Sequence, residues 1–453
     1  MAVFVASAGR PSPAGLLLVD PEATIDDTGH PLLDHPNGTL AGRFRGVVLD
    51  LDGVVYLGEE VIAAAPGALD QVRGLGVKVA FVTNNSYRPP GQVAEKLNRL
   101  GVKAAEGEVL TSAQAAVRLL GGHAGLRGVR ILVVGGPGLR QALEGAGARL
   151  IDGPAWREAE VVAVGFDPEL TYGKVRDATL AIRAGARFVG SNPDTTLPTR
   201  EGLWPGAGST LALLRASTGV RPEVAGKPER ALLDTAAAAI GPGPYLMVGD
   251  RADTDLDGAH RLGWSTALVL SGVTRLPDLP DLANPPDQLL ADVGGLLDRP
   301  GPVVRPATAA DEAPAARLLG GGVGAGAAGG AGSGTAGGAE GAGGPSEGTG
   351  GSARGAGGPL VVVAADGERV AGAAAVRPAG TLGVLDGPVV EEAWRGRLVG
   401  TRLAAAACIQ ARAVGLRRVA APAAAEPFLT RLGFRRAPGQ DPPLVRDLVR
   451  DGG

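Results

Sequence analysis

Cysteine is nearly absent. Cys408 is the single one in 453 residues, which excludes an internal disulfide framework. It falls in an alanine-rich helical stretch, where a thiol reads as a buried structural side chain. Histidine is scarce as well: His30, His35, His123 and His260 make neither a metal spacing nor a nucleophile–base pattern. The net charge of −3 gives no reason to expect a nucleic-acid partner. No apolar run reaches the length of a membrane span. The N-terminus lacks a basic segment and a cleavage site. These absences lead us to expect a cytoplasmic protein with no membrane partner. Lysine occurs only at 78, 96, 103, 174 and 227, so arginine supplies most of the positive charge. A lysine in such a chain is informative, because a compact ammonium and a planar guanidinium do different work.

What is present begins with Val47-Val48-Leu49-Asp50-Leu51-Asp52-Gly53. A short apolar run reads as a buried strand of a parallel sheet. It ends in two acids spaced i, i+2 and a glycine to turn the chain, and in open α/β sheets chemistry sits at such strand ends. One carboxylate could serve as nucleophile or metal ligand and the other as general acid/base; a plain strand-end turn is the alternative. A calcium loop is excluded, because Gly53 comes too early. The better calcium mimic, Asp253 to Gly258, has Trp264 at its twelfth position, which cannot ligate a metal. Three further segments follow. A second strand, Val77 to Val82, runs into Thr83-Asn84-Asn85-Ser86, whose hydroxyl, amide and backbone N–H groups suit phosphate oxygens. Gly226-Lys227-Pro228 precedes a predicted helix over 229–239. Tyr245 to Gly249 is a third strand that ends in Asp250, with Asp253, Asp255 and Asp257 beyond it.

Taken in order, Asp50-Leu51-Asp52-Gly53, Thr83, Lys227 and Gly249-Asp250 with Asp255 resemble the four motifs of the haloacid-dehalogenase-like phosphatases, over roughly residues 43–298. Asp52-Gly53-Val54-Val55-Tyr56 and Thr83-Asn84-Asn85-Ser86 are similar to the subgroup with a type C2 cap. The resemblance implies an α/β parallel-sheet core and Mg²⁺-dependent hydrolysis of a small phosphomonoester. It implies Asp50 as nucleophile, Asp52 as general acid/base and Lys227 as the neutralising charge. Gly53, Thr83 and Asn84 would hold the phosphoryl group. Asp50, Asp250 and the backbone carbonyl of Asp52 would hold Mg²⁺, with Asp255 behind them. A dehalogenase needs no acid two residues after its nucleophile, and an ion-pumping relative has lysine-threonine there; Asp52 departs from both.

The stretch from about 111 to 218 is too long for a loop. Its runs Ile131 to Val134 and Val161 to Val164 predict an inserted α/β cap. Gly135-Gly136-Pro137-Gly138 fails the dinucleotide fingerprint, since Gln141 takes the third glycine position. Asn192 and Asp194, in Ser191-Asn192-Pro193-Asp194, are the cap's candidates for substrate contact; an ordinary Pro/Gly-rich loop is the alternative.

Beyond 300 lie strand and helix signals at 303–319, then an almost pure Gly/Ala/Ser stretch, then strands and a long helix near 399–414. Trp394 to Thr401 and Phe428 to Phe434 resemble the GCN5-related acetyltransferases. Leu398 stands at the family's first pyrophosphate-loop glycine and Leu429 at its usual tyrosine. These departures imply a retained fold with a regulatory or interaction role. Acyl-CoA-dependent acetyl transfer and a CoA-sensing module are the alternatives. The expected organisation is a loosely ordered leader 1–42, a core of 43–112 with 216–300, and a cap 113–215. A tail of 301–319 with 359–449 would then enclose a disordered insertion 320–358. Capped phosphatases with such a tail resemble a glycerol 3-phosphate phosphatase subgroup, with phosphoglycolate the runner-up substrate; a homo-oligomer is left open. Since the motifs end before Asp298, a chain stopping near Arg299 is expected to keep phosphatase activity, provided the lost interface does not destabilise the core.

Overall fold

The computed structural model describes residues 38–199, 201–320, 358–437, 439 and 442–448. Most of the expected leader and of the Gly/Ala/Ser insertion lie outside the described residues. Among those described, no helix is long and apolar enough to cross a membrane.

Six parallel strands form the first sheet. Across it they run Gln288–Leu290, Ser265–Val269, Tyr245–Gly249, Gly46–Leu49, Lys78–Thr83 and Val109–Thr111. The apolar runs are explained by burial on both faces: Val47, Val48, Leu49, Phe81 and Val248 are fully covered. From Gly46–Leu49 the chain first builds outward to one side, through Lys78–Thr83 and Val109–Thr111. After the cap it returns on the other side, at Tyr245–Gly249. The two central strands are therefore the topological switch point, where such sheets place their sites.

The cap is a separate five-stranded parallel sheet, ordered Glu223–Val224, Arg187–Gly190, Val161–Val164, Arg130–Val134, Arg149–Ile151. Its edge strand Glu223–Val224 lies beyond the boundary expected at 215. Two residues are too few to show a period, so hydrogen bonding to Val189 and Gly190 decides their place. The leader is also shorter than expected, because Leu40 and Ala41 are buried in the core and the Leu40 N–H donates to the Asp298 carbonyl at 2.8 Å. The glycines after Arg130–Val134 have a packing role. Gly138 donates its N–H to the Tyr87 carbonyl at 2.7 Å, and a Cβ there would meet the Ser86 carbonyl at 2.7 Å. They let the cap approach the core closely.

The tail holds a seven-stranded sheet, ordered Val303–Pro306, Leu360–Asp366, Arg369–Ala379, Leu382–Val390, Arg418–Ala421, Leu444–Asp447, Arg435–Arg436. Only the Leu382–Val390 and Arg418–Ala421 pair is parallel. Helix Val399–Ala413 packs on this sheet, with Cys408 inside. The tail does not stand apart. Ala252, Leu256, Leu268, Leu279 and Leu289 of the first unit share one apolar cluster with Leu403, Ala407, Leu429 and Leu432 of the tail. This shared cluster is the interface on which separability near Arg299 depends. Motifs mark chemistry, whereas apolar faces decide what can stand alone.

Candidate active site

Adjacent parallel strands in register bring distant residues together. Leu49 faces Val248, so Asp50 leaves the sheet beside Gly249, one residue before Asp250. After Asp50 the chain makes one helical turn, in which the Val55 and Tyr56 N–H groups donate to the Leu51 carbonyl at 2.9 and 3.2 Å. Gly53 has φ +83° in this turn, and a Cβ there would lie 2.4 Å from Asp250 Oδ2. A side chain at this position would be strained by the backbone and blocked by the acid. Past Asp250, a single wide turn over Ala252–Leu256 swings Asp255 back under the strand end.

Carboxylate oxygens of Asp50, Asp250 and Asp255 lie within 4.8 Å of one another. Lys227 is 2% exposed, and its Nζ donates to Asp50 Oδ1 at 2.5 Å and lies 2.8 Å from Asp255 Oδ1. Three carboxylates thus face one ammonium, and full ionisation would leave two negative charges in excess. Burial pushes the Asp50 carboxyl up to about 8 against the pull of Lys227, with Asp255 and Asp250 adding to the rise. Burial, then Asp255, lifts Asp250 to about 6. Burial opposes charge on Lys227, but Asp255 and Asp50 overcome it and hold the ammonium firmly ionised.

A divalent cation fits this arrangement. It would cancel the excess charge, and hard carboxylate oxygens suit Mg²⁺. Asp250 Oδ2 accepts from the Val273 N–H at 2.7 Å, while its buried Oδ1 has no partner among the described residues. Such an atom calls for a ligand. Asp255 belongs to the trio, with Lys227 2.8 Å from its Oδ1 and the Arg251 N–H donating to its Oδ2 at 3.1 Å, so both its oxygens are engaged by the protein. The Asp52 carboxylate stands outside the trio. That carboxylate is exposed, and partial loss of solvent holds it above its ordinary range.

Lys227 is placed by Asn84. The Asn84 Oδ1 accepts from the Lys227 N–H at 2.8 Å, and its Nδ2 donates to the Lys227 carbonyl at 3.0 Å and to Asp194 Oδ2 at 3.1 Å. The Asn84 side chain is thereby a brace between core and cap. Thr83 is half-buried beside it and accepts from the Asn85 N–H at 3.1 Å. The cap candidates join the same brace. Asn192 Nδ2 donates to the Asn84 carbonyl at 2.6 Å and its Oδ1 accepts from the Asp194 N–H at 3.1 Å. Asp194 also lies 3.7 Å from Arg251. Asn192 is thus engaged at both ends of its amide, and Asp194 through Oδ2 and its ion pair with Arg251.

Lys96 went unnoticed in the sequence. It is buried, donates to the Gly58 carbonyl at 2.6 Å and sits 3.8 Å above the Tyr56 ring, pinning the hairpin that follows Asp52. The scarcity of lysine, which drew attention to Lys227, was a signal for Lys96 too.

The chain is similar to known families and proteins. The family description "haloacid dehalogenase-like hydrolase" matches residues 47–149, a HAD-hydrolase-like description matches 224–296, and the acetyltransferase (GNAT) family matches 349–434. A 5'-nucleotidase of Bacillus subtilis is 38% identical over 240 residues, 52% of this chain and 91% of the relative. An acid sugar phosphatase of Staphylococcus aureus is 34% identical over 253 residues, 55% of this chain and 96% of the relative. A crystal structure of a glycerol phosphate phosphatase from Mycobacterium tuberculosis, in complex with magnesium, superposes with a TM-score of 0.64 at 29% identity. That match covers 87% of this chain and 98% of the other, tail included.

Proposed function

This chain belongs to the haloacid dehalogenase-like hydrolases, it is a phosphatase, and we propose that it hydrolyses glycerol 3-phosphate through a phosphoryl-enzyme on Asp50. The observation that carries the reading is the Lys227 ammonium bonded to Asp50 at 2.5 Å inside a buried trio of carboxylates at the switch point. The cofactor is Mg²⁺; Asp50, Asp250 and the backbone carbonyl of Asp52 would hold it, with Asp255 adjoining. When bound, it supplies the positive charge that lets an anionic carboxylate meet an anionic phosphate.

In this reading an Asp50 carboxylate oxygen attacks phosphorus, and the bond from phosphorus to the alcohol oxygen breaks. Asp52 gives its proton to the departing oxygen. Thr83 and the Asn84 N–H hold phosphoryl oxygens, and Lys227 offsets their charge. Asp52 then takes a proton from water as that water attacks phosphorus. The Asp50–phosphorus bond breaks and inorganic phosphate leaves. The tail takes no part in acyl transfer here. Leu398 keeps the positive φ of 59° that favours glycine but adds a side chain, and Leu429 is fully buried in the shared apolar cluster.

The choice of glycerol 3-phosphate rests on the mycobacterial structure, whose match extends through both the phosphatase part and the tail. Phosphate release from a panel with Mg²⁺ tests it: glycerol 3-phosphate, phosphoglycolate, a sugar phosphate and a nucleoside 5'-phosphate. We expect kcat/KM for glycerol 3-phosphate to exceed the others at least about tenfold, a difference of about 1.4 kcal/mol in transition-state binding. A higher value for another member reassigns the substrate.

A further inference from the structure

The tail touches the phosphatase part mainly at the short helical turn Leu276–Asp281 and the strand after it. Arg446, 8% exposed, donates through Nη2 to the Pro277 carbonyl and to Asp281 Oδ2, both at 2.8 Å, and through Nη1 to the Leu432 carbonyl. Arg412 donates to the Leu282 carbonyl and lies 3.9 Å from Asp281 Oδ1. Arg402 donates to the Asp287 carbonyl and, at 3.0 Å, to that of Pro302. Beneath them, Leu279 is 1% exposed and packs with Leu403, Leu429 and Leu432. Apolar contact alone is non-directional. A guanidinium fork on a carbonyl and a carboxylate fixes orientation as well as distance.

The gripped turn continues directly from the segment that fixes Asp250. Ser271 Oγ donates to the Gly53 carbonyl at 2.6 Å. The Val273 N–H donates to Asp250 Oδ2 at 2.7 Å, and the Thr274 N–H to the Asp250 carbonyl at 3.0 Å. Only Arg275 and Leu276 separate Thr274 from Pro277, so a shift of Pro277 passes to Val273 with little slack. We propose that Arg446, from the acetyltransferase-like tail, is a positioning residue for the phosphatase's cation site. It holds segment 271–281 so that the Val273 N–H fixes Asp250 Oδ2 and leaves the buried, unpartnered Oδ1 for the cation. The proposal rests on the reading of this trio as the Mg²⁺ site. It gives the tail a role in the phosphatase reaction that requires no acetyl chemistry.

The test uses the full chain. Arg446→Met keeps the apolar stem and removes the fork. Mg²⁺ is titrated calorimetrically into wild type and variant, beside thermal melts and the Mg²⁺ dependence of phosphate release. Loss of such an outer support typically weakens metal binding about tenfold or more. We expect Arg446→Met to raise the Mg²⁺ Kd about tenfold, with kcat at saturating Mg²⁺ largely kept. Arg446→Lys should recover part of the affinity. Arg436→Met, which removes a surface arginine of the same tail bonded to Glu426, should leave the Kd unchanged. A wild-type Kd in Arg446→Met overturns the proposal, even with a lowered Tm. If that variant does not fold, Arg446→Lys carries the test, since it keeps the charge and loses the fork on Pro277 and Asp281; weaker Mg²⁺ binding than wild type supports the link and an unchanged Kd overturns it. Absence of Mg²⁺ binding by wild type contradicts the cation-site reading itself, and this proposal falls with it.

Discussion

Lys227 is the residue on which the charge balance of the site turns. Its ammonium is bonded to Asp50 and lies beside Asp255 in a buried setting, so removing it leaves carboxylates with no cationic partner. Breaking a buried pair by deleting one member costs about 3–5 kcal/mol. Lys227→Met should therefore melt well below wild type and lose activity, and Mg²⁺ should narrow the gap in Tm. Calorimetric melts with and without Mg²⁺ check this; an unchanged Tm would count against the charge account. Cys408 makes a second prediction. Burial pushes its thiol up to about 12, so it should resist thiol reagents in the folded chain and react only on unfolding. Labelling at native rates would contradict its placement. At this scale the sequence was most readable where chemistry demands particular atoms: Asp50 and Asp250 were read at strand ends and Lys227 before a helix, and the three meet as the family resemblance implied. It was least readable for Asn84 and Asn192, whose amides could serve a ligand or a brace. Only the fold shows which partners reach them.

Elements divide in the same way. Apolar runs announced the central strands, because parallel strands buried on both faces must be apolar throughout. Glu223–Val224 and the wide turn Ala252–Leu256 were not announced, being too short for any period and set by their neighbours. The entry to the tail shows how local chemistry can fix an element. Asp311 is nearly buried, bonds Arg305 at 2.6 Å and accepts from both the Thr308 N–H, at 2.7 Å, and the Thr308 hydroxyl, at 2.6 Å. These bonds, Arg305 foremost, hold its carboxyl down at about 2, against an ordinary 3.8. A depressed carboxylate stabilises the fold above its unfolded pKa, and that support fades as pH falls toward the folded value. Asp311→Asn should cost about 1 kcal/mol at pH 7 after allowance for solvent screening, with the difference shrinking between about pH 4 and pH 2. Denaturant melts across that range check it; a constant difference would refute the assignment.

For the molecule as a whole, the motif order revealed three units but not their dependence on one another. Leu256, Leu268, Leu279 and Leu289 face the tail's cluster, and burying one leucine is worth roughly 1.5–3 kcal/mol. Even half that total approaches the stability of a domain, about 5–15 kcal/mol. A chain ending near Arg299 should therefore aggregate or melt far below the full chain, as dynamic light scattering and thermal melts would show. A stable, monodisperse truncation would contradict the shared core. The central claim is that this large assembly serves one bond-making step on Asp50. Acid quenching of the full chain during turnover of glycerol 3-phosphate with Mg²⁺, followed by mass spectrometry of its peptides, tests that step most directly. The account predicts a phosphoryl group on the peptide carrying Asp50, lost in Asp50→Asn together with phosphate release. Undiminished phosphate release by Asp50→Asn, or a phosphoryl group on another peptide, would contradict it.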